Sequence, residues 1–141
     1  MNKKGLTVFE LVVTVSLFSL LALVVVPGLQ SFFVRLEIRT ALRALTSGLG
    51  TARGLAIRDN RPVRAEVVAR RLQLSVDDGP GWRVIRSFAL GEKLKVAANS
   101  RPVFSPLGNV SPLCTITLNV RQRTYRVVIS MYGRIRVYGD G

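Results

Sequence analysis

Residues 6–34 read LTVFELVVTVSLFSLLALVVVPGLQSFFV, and Glu10 is the only charged residue among them. An α-helix rises about 1.5 Å per residue, so about 20 apolar residues cross the hydrocarbon core of a bilayer. The stretch exceeds that length and therefore predicts one membrane-spanning helix. Residues 1–5, MNKKG, form a short polar leader in front of it, with two lysines.

The position of the polar leader distinguishes this segment from an ordinary secretory signal. Such signals place their small-residue cleavage site after the apolar run, whereas the change from polar to apolar falls here at Gly5 and Leu6. Cleavage at that point would leave the helix on the mature chain. The two lysines favour a cytoplasmic N-terminus, but Arg35, Arg39 and Arg43 crowd the other flank, so charge alone leaves the orientation open.

Glu10 needs an explanation of its own. An ionised carboxylate costs about 2.5–3.5 kcal/mol at the centre of a membrane helix unless a partner compensates it. A free amine could supply the compensating charge. The alternative is a carboxylate that reaches back to the membrane interface along its own stem.

The leader resembles the class III signal of type IV prepilins. KGLTVFEL at positions 4–11 has the glycine and the glutamate at that family's spacing. The resemblance implies that a prepilin peptidase cuts after Gly5 and methylates the new amine of Leu6, although the family usually has phenylalanine at this position. It also implies that Glu10 of an incoming subunit meets the amine of Leu6 on its neighbour and helps to set the register of a filament.

The helical pattern continues beyond residue 34 with a single apolar stripe. Apolar residues recur at spacings of three and four, and RDNRP at 58–62 ends the pattern. The sequence thus predicts one helix that is apolar at 6–34 and amphipathic at 35–61. The predicted core-facing residues are Ile38, Ala41, Leu42, Leu45, Leu49, Ala52, Leu55 and Ala56.

Residues 62–141 read as short strands between turn signals. DDGPG at 77–81 and MYG at 131–133 predict chain reversals, and the three prolines in 99–112 predict a loop. The predicted fold class is therefore α+β, with a long N-terminal helix packed on a small antiparallel β-sheet domain. The predicted strands are 63–68, 71–76, 82–88, 93–97, 114–120, 124–130 and 134–138.

Composition argues against catalysis and against metal binding. The 141 residues include no histidine, and the single cysteine, Cys114, is interpreted as a small buried apolar residue. No serine lies in a nucleophile-elbow motif, and Asp77 and Asp78 are interpreted as turn residues. We therefore expect no enzymatic activity, no cofactor and no metal.

The charge of the chain favours an acidic partner. The formal net charge is +13, and 17 of the 21 basic residues are arginine, which binds phosphate and carboxylate in a bidentate manner. From Arg35 onward there are 19 basic and 7 acidic residues. The alternatives are a solvated surface and a lipid-facing one.

Four further stretches make nearly the whole chain similar to the GspH/FimT family of type IV minor pilins and type II secretion pseudopilins. They are TARGLAIRDNRPV at 51–63, GW at 81–82, VFSPLG at 103–108 and GRIRV at 133–137. The family more often has a serine-glutamate pair where this chain has Gly54 and Leu55, so a contact made by that glutamate is absent here. The resemblance implies a type IV pilin-like fold.

GRIR at 133–136 is the candidate binding site. Alternation along a strand places Arg134 and Arg136 on one face, roughly 6.8 Å apart, as a clamp for phosphate, and the family resemblance links this motif to DNA capture in natural transformation. The alternative is a strand face that is only solvated or that contacts another subunit. The predicted nucleic-acid-binding residues are Gly133, Arg134, Arg136, Arg121, Arg123 and Arg126.

These observations predict a minor pilin or pseudopilin with a structural role in a type IV pilus or a type II secretion filament. The alternative is a FimT-like DNA-binding minor pilin that acts in DNA uptake. The predicted partners are other pilin or pseudopilin subunits, the prepilin peptidase, the inner membrane and, in the alternative, double-stranded DNA. The resemblance decides the orientation that charge leaves open. The predicted location is therefore the bacterial inner membrane, with a single pass and with residues 62–141 on the periplasmic or extracytoplasmic side.

Overall fold

The computed structural model describes residues 7–92, 94–120 and 123–139. The chain divides into two compact units, Met1–Leu36 and Glu37–Gly141. One α-helix, α1, spans Val8–Arg58 and contributes to both units.

The first unit is an apolar helix with a capped start. Thr7 precedes the first helical residue, and its Oγ1 accepts a hydrogen bond of 3.2 Å from the backbone N–H of Glu10. This bond satisfies one of the amide groups that a helix leaves unpaired at its N-terminus. Threonine followed three residues later by glutamate is the spacing of a capping box, and a carboxylate in the first turn lies at the positive end of the helix dipole.

The side chains that follow the cap are apolar and open to the surroundings. The large hydrophobic residues from Val8 to Phe33 are 48–80% exposed. The most apolar 18-residue window of α1 has a mean hydropathy of 2.5 with none of it buried, so this helix is long and apolar enough to cross a membrane. The hydroxyls of Thr14, Ser16 and Ser19 donate to carbonyl oxygens of the preceding turn at 2.7–2.9 Å, which satisfies them without water.

In the second unit, the remainder of α1 buries the predicted stripe and ends at the predicted break. Asn60 adopts a φ of +49°, the left-handed conformation that often terminates a helix. The N–H of Arg61 donates to the carbonyl of Ala56 at 3.3 Å, and Pro62 prevents further helix. Leu42 and Leu55 are half-buried, and the fully buried members of the stripe are Ile38, Ala41, Leu45, Leu49, Ala52 and Ala56.

In the part of the chain that the structure describes, nine β-strands follow the helix. They form two antiparallel sheets, sheet A with the order β3-β2-β1-β5-β6 and sheet B with the order β4-β7-β8-β9. The chain passes from sheet A to sheet B after β3, returns for β5 and β6, and ends in sheet B. The strands are β1 Val63–Val68, β2 Arg71–Asp77, β3 Trp82–Ala89, β4 Lys95–Ala98, β5 Val103–Phe104, β6 Val110–Ser111, β7 Cys114–Val120, β8 Arg123–Ile129 and β9 Ile135–Gly139.

The predicted α+β class with antiparallel strands is confirmed, and all seven predicted strands are present with ends within two residues. The start of the predicted strand 93–97 falls on position 93, outside the described residues. The strands are divided between two sheets, however, where one sheet was expected. The segment 99–112, predicted as a loop, contains the two-residue strands β5 and β6, which extend sheet A beside β1.

One helical glycine sets the distance between α1 and sheet A. A Cβ atom at Gly48 would lie 2.5 Å from Cδ2 of Leu72 and 3.1 Å from Cδ2 of Phe88. By contrast, a Cβ atom added at Gly50 would meet nothing within 4 Å apart from the backbone of its own helix. Gly48 therefore allows a close packing of helix on sheet, and a side chain at this position would force Leu72 and Phe88 to shift.

Candidate functional site

A groove crosses the outer face of sheet B at its β9 edge. In the antiparallel pair of β8 and β9, Arg136 lies opposite Val128 and Tyr138 lies opposite Arg126. Residues opposite each other in such a pair project from the same face. The groove has a volume of about 370 Å³ and is lined by Val128, Ser130, Tyr132, Arg134, Arg136 and Tyr138.

The turn that joins β8 to β9 fixes the position of Arg134. Gly133 adopts a φ of +72°, and its N–H donates to the carbonyl of Ser130 at 2.9 Å. The N–H of Ser130 donates to the carbonyl of Arg134 at 3.0 Å, and the N–H of Arg134 donates to Oγ of Ser130 at 3.2 Å. A tight hairpin of this kind places its glycine in the left-handed region because a side chain there is strained.

Gly133 was predicted to contact nucleic acid, but its missing side chain also makes room for another part of the same chain. Its surroundings are not open: a Cβ atom at 133 would lie 2.8 Å from the carbonyl oxygen of Gly108 and 3.0 Å from Nε of Arg53. The missing side chain thus admits another part of the same chain. Arg53, near the end of α1, is half-buried between the Gly108 and Gly133 turns, and its buried Nε has no hydrogen-bond partner in the described part of the chain.

Charge is distributed unequally between the two sheets. Within the strand bounds given above, sheet B contains no acidic residue. In sheet A, by contrast, Glu66 makes an ion pair with Arg101 at 2.9 Å. The guanidinium of Arg64 lies 4.5 Å from the ring centroid of Trp82, a cation–π contact on the same sheet.

The turn between β2 and β3 holds a second paired carboxylate. Asp78 makes ion pairs with Arg83 and, at 3.6 Å, with Arg61. The hydrogen bond from Arg83, followed by the nearby charges of Arg83 and Arg61, holds the pKa of Asp78 below its usual value. On the sheet A side of the domain, carboxylates therefore neutralise some of the arginines, whereas the charged residues in the sheet B strands are all basic.

The structure brings some of the predicted site residues together and separates others. Arg134 and Arg136 line one groove, and Arg126 lies on the same sheet face. Arg123 lies opposite Val120 and so belongs to the other face, the one that carries the buried Val127. Arg121, Gly5 and Leu6 lie outside the described residues. The described residues contain no group of three or more potential metal ligands.

Sequence reasoning missed two features of these regions, and a third could be described only in part. Tyr132 and Tyr138 flank Arg134 and Arg136 in the linear sequence, but their placement in one groove requires the β8–β9 register. The contact of Arg53 with Gly133 joins residues far apart in the chain and has no sequence signal. The cap formed by Thr7 and Glu10 does have a sequence signal, since threonine three residues before glutamate at the start of an apolar run is a capping-box pattern.

Comparisons with known proteins support the fold through structure alone. No protein-family model matches the chain, and no curated protein matches it. Among solved structures, the minor pseudopilin EpsH from the type II secretion system of Vibrio cholerae is similar, with a TM-score of 0.62 and 19% identity over 74% of this chain and 98% of that chain. The type IV minor pilin FimU of Pseudomonas aeruginosa is similar, with a TM-score of 0.63 and 19% identity over 76% of this chain and 92% of that chain.

These similarities agree with the architecture described above. A second structure of EpsH has a TM-score of 0.60 at 16% identity and covers 74% of this chain and 97% of that chain. At such identities the likeness concerns the fold. The long helix Val8–Arg58 packed in its second half on antiparallel sheets is the type IV pilin-like fold of these minor pilins and pseudopilins.

Proposed function

We propose that this chain is a minor pilin or pseudopilin, a structural subunit that joins a type IV pilus or a type II secretion filament. The observation that carries the proposal is the helix Val8–Arg58: its first part is apolar and exposed, while its second part is buried on a domain with the fold of EpsH and FimU. An exposed apolar helix needs lipid or other helices around it. A membrane before assembly and a helical bundle after assembly both provide that environment.

The proposal includes processing and location. A prepilin peptidase cuts after Gly5 and methylates Leu6, and the mature subunit stays in the inner membrane with its β domain on the periplasmic side. Mass spectrometry of the chain purified from membranes tests this, and we expect a mature protein that begins at Leu6 and carries one extra methyl group. Gly5→Val should leave the leader attached. A membrane-extracted protein that still carries residues 1–5 contradicts the processing step.

Glu10 is the proposed assembly residue, and its cap suggests a precise test. Its backbone N–H is bonded to Thr7, a contact that does not need the carboxylate. Glu10→Gln keeps the size and polarity of the side chain and removes its charge. If the charge pairs with the amine of a neighbouring subunit, Glu10→Gln abolishes co-purification with the other subunits of the filament.

A matched control separates this role from capping. Thr7→Val removes the hydroxyl that accepts the hydrogen bond and leaves the charge of Glu10 in place. We expect Thr7→Val to assemble and Glu10→Gln to fail, both at wild-type membrane levels. Normal assembly of Glu10→Gln, or failure of both variants alike, rules out a specific charge contact.

Nucleic-acid binding is a second candidate function, favoured by the groove on sheet B. Arg134 and Arg136 line it together with Tyr132 and Tyr138, and Arg126 lies on the same face. Arginine side chains contact phosphates without reading sequence, and the affinity of such contacts falls steeply with salt. Double-stranded DNA bound in this way would be held irrespective of its sequence.

This candidate is tested with the full chain in detergent and labelled DNA duplexes of unrelated sequence. We expect similar affinities for all duplexes, a steep loss between about 50 and 200 mM salt, and a large loss in Arg134→Gln/Arg136→Gln. Arg86→Gln, an exposed arginine of β3 in the other sheet, serves as the control with unchanged affinity. Binding that is absent, or that ignores salt, removes this candidate.

A further inference from the structure

The four edges of the two sheets differ in how open they are to another strand. The pairing of β3 is interrupted by a register shift between Leu74 and Ser75, β4 has four residues, and β6 has two. By contrast, β9 pairs all five of its residues with β8 in an unbroken register. Bulges and short strands are the usual protection of a sheet edge. Among the described residues, β9 is the edge that lacks both.

Both faces of β9 are incompletely covered. On the core side, Val137 is 44% exposed although Val127, its partner on β8, is fully buried. On the groove side, Tyr138 is 49% exposed next to Arg136. A strand added outside β9 would therefore cover apolar surface on one face and basic surface on the other. Its backbone would pair with the free edge of β9, as in recognition by β-strand addition.

The charge of the groove side of β9 indicates which kind of strand can bind at this edge. Arg134 and Arg136 make no ion pair among the described residues, and the four strands of sheet B contain no carboxylate. Pairing of β9 with the same strand of a second copy would bring these arginines close to their counterparts, and like charges on adjacent strands repel. An incoming strand with carboxylates on the groove face is the complementary partner.

We propose that the outer edge of β9 docks an extended segment of a different protein as a fifth strand of sheet B. The segment alternates acidic residues, which face Arg134 and Arg136, with β-branched residues, which pack beside Ile135 and Val137. This inference does not depend on the filament proposal, because it follows from the edge, its exposure and its charge.

The test uses the full chain in detergent and a labelled, end-capped nonapeptide that alternates glutamate and valine, with binding followed by fluorescence anisotropy. In an extended strand, alternate residues direct their N–H groups to opposite edges, so all the glutamate amides lie on one edge and all the valine amides on the other. Two peptides are therefore compared, one N-methylated at the glutamates and the other at the valines. Strand addition predicts that one isomer loses at least about tenfold in affinity while the other binds as the parent does.

Charge-reversal variants provide a second test of the proposal. Arg134→Glu/Arg136→Glu should bind the lysine-valine analogue of the peptide in preference to the glutamate-valine peptide, whereas Arg86→Glu on β3 should keep the wild-type preference. Circular dichroism confirms that the variants are folded. The proposal is overturned if the peptide does not bind, if both N-methylated isomers lose affinity equally, or if duplex DNA binds at these arginines and the peptide does not.

Discussion

Arg53 and Gly133 fit together only because position 133 has no side chain. A Cβ atom there would lie 3.0 Å from Nε of Arg53, and the carbonyl oxygen of Gly108 would be closer still, at 2.8 Å. The end of α1, the 105–109 turn and the β8–β9 hairpin thus meet at one point. This contact fixes the hairpin from which Arg134 enters the groove.

Gly133→Ala should therefore destabilise the protein by about 1–3 kcal/mol, since it combines a strained φ with overpacking. The measurement is the change in free energy of unfolding by denaturant, made on the full chain in detergent. Gly79→Ala is the matched control, because Gly79 has a φ of +91° with nothing within 4 Å of an added Cβ. The difference between the two variants isolates the contact with Arg53 and Gly108, and equal losses would show that this contact is unimportant.

Two glycines of α1 should respond to alanine in opposite directions. Gly48→Ala places a Cβ 2.5 Å from Leu72 and should lower the free energy of unfolding by about 1–3 kcal/mol. Gly50 is exposed with nothing within 4 Å, so Gly50→Ala should raise it by about 0.5–1 kcal/mol through helix propensity alone. Denaturant unfolding monitored by circular dichroism checks both, and the same sign for both variants would contradict the packing described for Gly48.

The ion pairs of Asp78 predict a loss of stability in acid. Because the hydrogen bond from Arg83 lowers the pKa of Asp78 in the folded state, its stabilising effect is present above the unfolded pKa of about 3.9 and is lost as the pH falls through the lower folded value. Wild type should therefore have a higher thermal midpoint than Asp78→Asn at pH 6, and this difference should vanish in strong acid. Arg83→Gln should lose most of the stabilisation that depends on the charge of Asp78. If the difference in thermal midpoint between wild type and Asp78→Asn is the same at every pH, the titration of Asp78 is not its source.

The connection between β1 and β2 is strained and can be improved. Ala69 and Arg70 both have positive φ values, +46° and +61°, in a two-residue hairpin loop that favours asparagine and glycine. Ala69→Asn should raise the free energy of unfolding by about 1 kcal/mol. Arg70→Gly is the informative comparison, because it relieves the same strain but removes the hydrogen bond from Arg70 to the carbonyl of Glu92. If Ala69→Asn leaves the free energy of unfolding unchanged or lowers it, the loop is not strained at Ala69.

Much of the fold could be predicted from the sequence because its signals are local. A period of three and four residues places Leu45 and Leu49 in the core, and the 58–62 break ends the helix, since these features depend on neighbours in the chain. The strands were found for the same reason. The two-residue strands β5 and β6 escaped because two residues carry no periodicity, and they form only where β1 provides an edge.

The sequence by itself determined that a long helix, with one carboxylate in its apolar first part, precedes a basic, β-rich domain, because composition and periodicity are properties of the chain alone. Only the tertiary structure decided that Arg134 and Arg136 share a groove with two tyrosines, that Arg123 lies on the opposite face, and that Gly133 makes room for Arg53. A shift of one residue in strand register exchanges the two faces of a sheet, and register is set by pairing between segments that are distant in the chain.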